Sequence, residues 1–222
     1  HNIARGLPIT VSDPARELQL AYIDDVVAAF MALLDDPGAR GFGYGSVEPV
    51  FRLTLGELVE RIEAIRRSRE SLMLPDLGDP LNRRLLATFN SFLPDDGWSY
   101  PLEQRSDPRG VLAEFIKSGS AGQIFISTTK PGIIRGNHYH HTKVEKFLVL
   151  SGEGEIRLRK LGTNAIHRVR VSGSELLVVD IPPGWTHCIQ NVGDSDMVTL
   201  FWSSEVFDPN RPDTYFEEVD RA

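Results

Sequence analysis

The chain has 222 residues and a formal net charge of −7, and its apolar and charged fractions are those of an ordinary globular protein. It contains neither the basic patch that phosphate binding requires nor an apolar run near the ~18–20 residues of a membrane-spanning helix. We therefore expect no nucleic-acid partner and no membrane partner. The single cysteine, Cys188, excludes an intrachain disulfide and favours a cytoplasmic location.

Two helices are predicted in the first 70 residues. The first begins at Asp24 or Asp25 and ends at the turn formers Asp35-Asp36-Pro37-Gly38. The second begins at Thr54, because Thr54 and Glu57 have the spacing of a capping box, in which each side chain accepts a hydrogen bond from the other residue's backbone amide. With the short strands beside them, these helices predict a small α/β unit.

A third helix is predicted to connect the two halves of the chain. Asp79-Pro80 is typical of a helix start, with an N-cap residue followed by proline at the first helical position. Pro94-Asp95-Asp96-Gly97 then ends the helix. We place a domain boundary there, with a small α/β domain over residues 1–94 and a second domain over residues 95–222.

The second domain has the pattern of an antiparallel β structure. From Val111 onward, short apolar stretches alternate with turns that contain Gly, Asn, Asp or Pro, which indicates a sandwich or barrel. The predicted strands cover residues 123–128, 146–150, 155–158, 168–171, 176–181 and 198–202. The fold class predicted for the whole chain is therefore mainly β.

Four residues of this domain have the spacing of a metal site. His138 and His140 lie two residues apart, so on a strand their imidazoles point to the same side. Glu145 would return on the neighbouring strand, and His187 is the natural fourth ligand. Three imidazoles and one carboxylate suit zinc, with iron, nickel or manganese as alternatives, and they leave coordination positions open for water or substrate.

These residues resemble the two sequence motifs of the cupin family, whose members are double-sheet jelly-roll barrels. The first motif is matched by Gly132, His138, His140, Glu145 and Gly152, and the second by Pro182, Gly184, His187 and Asn191. The sequence departs from the second motif at one position. That motif normally opens with a glycine six residues before its proline. That position is Leu176 here, and the nearest glycine is Gly173.

The first 70 residues resemble the C-terminal lobe of an extended short-chain dehydrogenase/reductase. The resemblance is carried by residues 19–27 and 51–58. The chemistry of that family requires a Gly-rich phosphate loop and a Tyr-x-x-x-Lys pair, and this sequence has neither. We therefore expect the chain to be the C-terminal part of a longer protein whose nucleotide-binding lobe is missing here, and to bind no NADPH by itself.

The combination of the two domains resembles a family of bifunctional reductase/epimerases that act on sugar nucleotides for capsular polysaccharide. Residues 136–143, 145–149, 179–182 and 207–216 carry this resemblance in the second domain. It implies that the cupin domain binds zinc and epimerises C3 of a UDP-linked 4-keto-6-deoxy-N-acetylhexosamine in the UDP-N-acetyl-L-fucosamine pathway. It also implies that the dehydrogenase lobe reduces C4 with NADPH in the full-length protein. The resemblance to cupins, which commonly pair across their sheets, implies a homodimer.

Lys143, His141 and Tyr139 are the candidate catalytic residues. Epimerisation next to a ketone needs a base on one face of the sugar and a proton donor on the other. On a strand, Tyr139 and His141 point away from the metal ligands unless a bulge intervenes. The metal can be catalytic or structural, and two alternative functions stay open: an iron-dependent cupin dioxygenase, and a non-catalytic cupin that binds sugar or holds a dimer together.

Overall fold

The computed structural model describes residues 1–35 and 45–220, which form two compact units. The first unit comprises His1–Ser71 and Pro75–Ser99, and the second comprises Leu72–Leu74 and Tyr100–Ala222. The division thus falls after Ser99 rather than after residue 94. The second unit also takes Leu72–Leu74, because these residues supply a short strand that pairs with its sheet.

The first unit contains a two-stranded antiparallel sheet and helices. Its elements are β1 (Glu17–Leu20), α1 (Ile23–Asp35), β2 (Phe51–Thr54), α2 (Leu55–Ser71) and α3 (Pro80–Ser91), preceded by a 3-10 turn at Ile3–Arg5. The predicted capping box is confirmed, since the Thr54 amide donates to Glu57 Oε2 at 2.7 Å and the Glu57 amide donates to Thr54 Oγ1 at 3.2 Å. The predicted start of α3 is confirmed as well, because Asp79 Oδ1 accepts from the Leu81 amide at 2.8 Å.

Among the described residues, the core of the first unit is small. It consists of Ile3, Ile65 and Phe89, around which partly buried residues of α2 and α3 pack. Helix α1 does not contribute a buried residue in its described range, and its Phe30 and Leu34 are 62% and 65% exposed. The predicted turn at residues 35–38 lies, apart from Asp35, outside the described residues.

The second unit is built from two β-sheets. Its strands are β3 (Met73–Leu74), β4 (Gln104–Asp107), β5 (Gly110–Ser118), β6 (Gly122–Thr129), β7 (Ile134–Tyr139), β8 (Glu145–Ser151), β9 (Glu153–Lys160), β10 (Ile166–Ser172), β11 (Val178–Ile181), β12 (Trp185–Asn191), β13 (Met197–Ser203) and β14 (Tyr215–Phe216). A seven-stranded sheet has the order β11-β8-β13-β6-β5-β3, with β4 also paired to β5, and a five-stranded sheet has the order β10-β9-β12-β7-β14. All pairings are antiparallel except β3 with β5.

Both sheets contribute to one apolar core. Alternate residues of β13 are buried, as expected for a strand with one face in a core, and the core includes Val149, Ile156, Ile181, Ile189 and Met197. The predicted fold class is therefore confirmed: the chain is mainly β, with a jelly-roll barrel preceded by a small α/β unit. Among the described helices, none has the length and apolar character needed to cross a membrane.

Gly173 explains why the second motif has Leu176 where a glycine is normally found. Its amide donates to the carbonyl of Gly152 at 3.0 Å, and a Cβ at this position would lie 2.6 Å from the carbonyl oxygen of Leu150. Only glycine fits there. The strand that follows begins at Val178 rather than at residue 176, so the turn after Gly173 is longer than the motif predicts.

Candidate metal centre

The four predicted ligands come together inside the second unit. His138 lies on β7 and His187 on the paired strand β12, both in the five-stranded sheet, whereas Glu145 begins β8 in the seven-stranded sheet. His140 follows the end of β7. Their ligand atoms lie within 4.8 Å of one another, and all but the partly buried His138 are buried. We call these four residues the quartet.

The histidine nitrogens of the quartet are oriented for coordination. His140 Nδ1 lies 2.5 Å from the carbonyl oxygen of Asp213, and His187 Nδ1 lies 3.3 Å from that of Trp185. A carbonyl oxygen only accepts, so each Nδ1 carries the hydrogen and each Nε2 presents its lone pair. Both Nε2 atoms are buried without a hydrogen-bond partner, and each lies 3.3 Å from Glu145 Oε2.

The electrostatics of the quartet favour its metal-binding protonation state. Burial lowers the pKa of His138 to about 4, with a further contribution from the neighbouring His187. Burial raises the pKa of Glu145, but the imidazoles of His140 and His187 outweigh this effect and hold that pKa well below its usual range. At neutral pH the site therefore presents a neutral His138 and an ionised Glu145, which fit a divalent cation.

A β-bulge shapes β7 at the quartet. His187 of β12 pairs with His138, but the next residue, Cys188, pairs with Gly136, so Asn137 is the extra residue of β7. Gly136 has a φ of 105°, and a Cβ there would lie 2.7 Å from the carbonyl oxygen of His187. Such bulges change the direction of side chains beside functional sites.

The segment after the last long strand, residues 207–220, fixes the loop that carries His140 and leads to Glu145. The Asp213 carboxylate accepts hydrogen bonds from the backbone amides of His141, Thr142 and Lys143 at 2.9, 3.0 and 2.9 Å. Burial raises the pKa of Asp213, but these amides lower it well below the usual range. The same residue thus holds the loop through its carboxylate and His140 through its carbonyl.

The three predicted catalytic residues have different surroundings. Lys143 is buried and lines a cavity beside the quartet, where its Nζ donates to the Pro212 carbonyl at 2.8 Å and to Thr214 Oγ1 at 3.3 Å. Tyr139 and His141 instead contact Tyr215, at ring-centroid distances of 5.4 and 4.7 Å, and neither lines the cavities that the quartet borders. The structure therefore brings only Lys143 to the site.

Two cavities, of about 240 and 250 Å³, border the quartet and share lining residues. The shared residues are Leu112, Phe125, His138 and Glu145, so an apolar wall faces two of the predicted ligands. Arg109 and Arg135 also line the first cavity, and the sequence patterns had not singled out either. A larger hollow of about 490 Å³ among the turns near Gly152 and Gly193 contains none of the predicted site residues.

Comparison with known proteins supports the predicted resemblance. Residues 105–215 match the family described as the polysaccharide biosynthesis C-terminal domain. The UDP-2-acetamido-2,6-beta-L-arabino-hexul-4-ose reductase of Pseudomonas aeruginosa is 43% identical over 215 residues, which cover 97% of this chain and 58% of the reductase.

Solved structures agree with this result. Crystal structures of CapF with the inhibitor 3-isopropenyl-tropolone and of the capsular polysaccharide assembling protein CapF from Staphylococcus aureus are both 47% identical, with TM-scores of 0.93 and 0.91. Each covers 98% of this chain, which spans 63% and 59% of the two CapF chains. The resemblance to such capsular polysaccharide enzymes is thereby confirmed, and the chain spans about three fifths of the length of these relatives.

Proposed function

Because the chain belongs to the polysaccharide biosynthesis C-terminal domain family, we propose that its second unit is a metal-dependent epimerase of a nucleotide-linked sugar. The quartet holds a divalent metal, with zinc the preferred ion and iron, nickel or manganese as alternatives. The observation that carries this proposal is the quartet itself, because two buried Nε2 lone pairs and a carboxylate face one another at the wall of a cavity of small-molecule size.

The proposed substrate is a UDP-linked 4-keto-6-deoxy-N-acetylhexosamine, and the proposed reaction inverts C3. The name of the 43%-identical relative describes a UDP-linked acetamido sugar with a ketone at C4. A ketone at C4 acidifies the proton on C3, so removing that proton and returning it to the other face inverts this carbon. We also propose that C4 is reduced with NADPH in the full-length protein, by a lobe outside this chain.

Residues of the two cavities would stabilise the negative charge that this proton transfer leaves on the sugar. A bound divalent metal would supply a Lewis acid that polarises the ketone. Leu112 and Phe125 make part of the shared wall apolar, and electrostatic interactions are stronger beside an apolar surface than in bulk water. Lys143 places a positive charge in the second of the two cavities, and its two hydrogen bonds to residues 212 and 214 fix that charge in position.

We assign Lys143 the role of stabilising the negative charge that develops on the sugar oxygen when C3 loses its proton. A fixed charge in a dry site needs no reorganisation during the reaction, which is why such groups contribute strongly to catalysis. Tyr139 and His141 have no proposed role in proton transfer, because they contact Tyr215 rather than the cavities. The predicted homodimer and cytoplasmic location stay predictions.

Deuterium incorporation tests this function. The zinc-loaded chain is incubated with the UDP-linked 4-keto sugar in D2O without NADPH, and NMR follows the signal of the C3 proton. We expect deuterium at C3 with the unmodified chain and with His167→Ala, which removes an exposed histidine of β10. Glu145→Gln should abolish exchange, and Lys143→Met should slow it by about 100-fold, the usual cost of losing one charge-stabilising donor.

Three outcomes would contradict the proposal. If the zinc-loaded chain gives no exchange, the second unit is not an epimerase by itself. Equal exchange by Glu145→Gln would exclude the quartet from the reaction. Oxygen uptake with the iron-loaded chain, without exchange, would instead favour the dioxygenase.

A further inference from the structure

Two arginines from different parts of the second unit line one cavity with the quartet. Arg109 lies in the turn between β4 and β5, and Arg135 lies on β7, three residues before His138. Both line the cavity of about 240 Å³ that His138 and Glu145 also border. The fold therefore places two positive charges beside the proposed reaction site.

Of the two guanidinium groups, only that of Arg109 has a close carboxylate among the described residues. Arg109 Nε and Nη2 donate to Asp107 Oδ2 at 2.9 and 2.5 Å, and Arg109 lowers the pKa of Asp107 to about 2. Within the described residues, no carboxylate lies within 4 Å of Arg135, whose hydrogen bonds go to Thr129 Oγ1 at 3.1 Å and to the Thr128 carbonyl at 3.4 Å. Arg135 thus has no direct carboxylate partner, and the carboxylate of Glu145, which lines the same cavity, faces His140 and His187 instead.

Arg135 is held in place but has spare donors. A guanidinium has five N–H groups, and the bonds to Thr129 and Thr128 use one on Nε and one on Nη2. The two hydrogens of Nη1 and the second hydrogen of Nη2 have no acceptor among the described residues. Burial lowers the pKa of Arg135, and the charge of Arg109 lowers it further, so the two cations repel each other in the absence of a ligand.

Such an arrangement is unfavourable for the protein alone. Moving a cation out of water costs free energy unless an opposite charge accompanies it, and a second cation nearby increases the cost. A bound anion offsets both the free-energy cost of burying the cation and the repulsion between the two cations. Phosphate groups suit this position, because guanidinium groups bind phosphate oxygens with paired, charge-assisted hydrogen bonds.

We propose that Arg135 and Arg109 form a subsite that binds the diphosphate of the nucleotide sugar while the sugar ring extends toward the quartet. The inference rests on the proposed function, which supplies a substrate with a diphosphate attached to its sugar. Arg135, with its fixed guanidinium, is the principal ligand. Arg109, whose side chain is 57% exposed, binds from the solvent side of the cavity.

Calorimetric titration of the zinc-loaded chain with UDP, uridine and inorganic pyrophosphate tests this subsite without any reaction. We expect UDP and pyrophosphate to bind, and uridine to bind much more weakly. Arg135→Gln should weaken UDP binding about 10-fold or more, because it removes a charge-assisted contact to phosphate. Arg109→Gln should weaken it by a smaller factor.

Two further variants separate ligand binding from a general change in charge or structure. Asp107→Asn keeps an acceptor for the Arg109 amide but removes the competing negative charge, so we expect it to tighten UDP binding several-fold. Arg170→Gln is the control for net charge, because Arg170 lies on β10, is 71% exposed and is absent from the lining of this cavity. It should leave UDP affinity unchanged.

The subsite is excluded if UDP does not bind, if Arg135→Gln binds UDP as tightly as the unmodified chain, or if Arg170→Gln weakens binding equally. These outcomes are distinct from a failure of the proposed function. Deuterium exchange that persists in Arg135→Gln at saturating substrate, with weaker UDP binding, supports the subsite. Normal UDP binding without any exchange would exclude the epimerase and leave the diphosphate site intact.

Discussion

The two units of the chain differ in what they bury. In the first unit, the described buried residues are mainly apolar, and its only buried polar residues in the described range are Ser68 and Asn82. The second unit buries ionisable groups, among them Lys143, Glu145 and Arg159. It therefore contains groups that cost free energy to bury unless each has a partner.

This difference favours the second unit as the place of the proposed chemistry. In the second unit, the 207–220 segment supplies partners for several buried groups: the Asp213 carbonyl contacts His140, the Pro212 carbonyl accepts from Lys143, and the Val219 carbonyl accepts from Arg159 at 2.9 Å. In the first unit, the polar network around Asn82 instead joins Arg61 and Asp79, whose side chains are 36% and 31% exposed. A segment that holds functional groups in place is typical of a preorganised site.

The largest effect on stability is expected from Arg159→Met in the second unit. Arg159 is 1% exposed and donates to the carbonyls of Thr163, Glu218 and Val219 and to the Glu217 carboxylate. Its removal leaves the buried Val219 carbonyl and three partly buried acceptors without this donor, so the free energy of unfolding should fall by about 3 kcal/mol. Urea denaturation measures the change, and hydrogen exchange should place it in the second unit and not in α2 or α3.

Arg170→Met is the matched control, because its side chain is 71% exposed. We expect its effect on the free energy of unfolding to stay within about 0.5 kcal/mol. Equal stability of both variants would show that the 207–220 segment does not depend on the buried guanidinium, and the contrast between the units would lose its physical basis.

A smaller effect is expected from Asp213→Ala. The substitution removes the carboxylate that holds the amides of residues 141–143, and so loosens the support of His140. Zinc affinity, measured by competition with a chelator, should fall by about 10- to 100-fold, as is usual when a group that orients a metal ligand is lost. Asp208→Ala, in the same segment but without contact to that loop, should keep the original affinity.

An unchanged zinc affinity in Asp213→Ala would mean that the quartet needs no support from the 207–220 segment. A parallel loss in Asp208→Ala would attribute the effect to the segment as a whole rather than to the hydrogen bonds of Asp213. Only a loss confined to Asp213→Ala supports the proposed positioning role.

Local patterns in the sequence predicted an antiparallel β domain and the four residues of the quartet, and the resemblance to cupins implied the jelly roll. His138 and His140 are related by the two-residue period of a strand, and the capping box at Thr54 and the N-cap at Asp79 are also local signals. The structure confirms the predicted starts of α2 and α3, places the start of α1 at Ile23 rather than at Asp24 or Asp25, and brings the four predicted side chains together. Metal binding itself stays a prediction.

Long-range contacts could not be predicted in this way. Asp213 reaches His140 across 73 positions of the sequence, and nothing near either residue indicates the pairing. Arg109 and Arg135 converge on one cavity only because β7 and the turn before β5 meet in the barrel. The exposure of α1 could not be predicted either, because the apolar pattern of a helix does not indicate which residues pack against it.

The central claim is that the quartet binds one metal ion. Elemental analysis of the zinc-loaded and desalted chain, beside Glu145→Gln and His167→Ala, tests it most directly. We predict about one zinc per chain for the unmodified protein and for His167→Ala, and almost none for Glu145→Gln, because a buried site that loses its carboxylate no longer balances the charge of the cation. Full zinc content in Glu145→Gln, or none in the unmodified chain, would contradict the account.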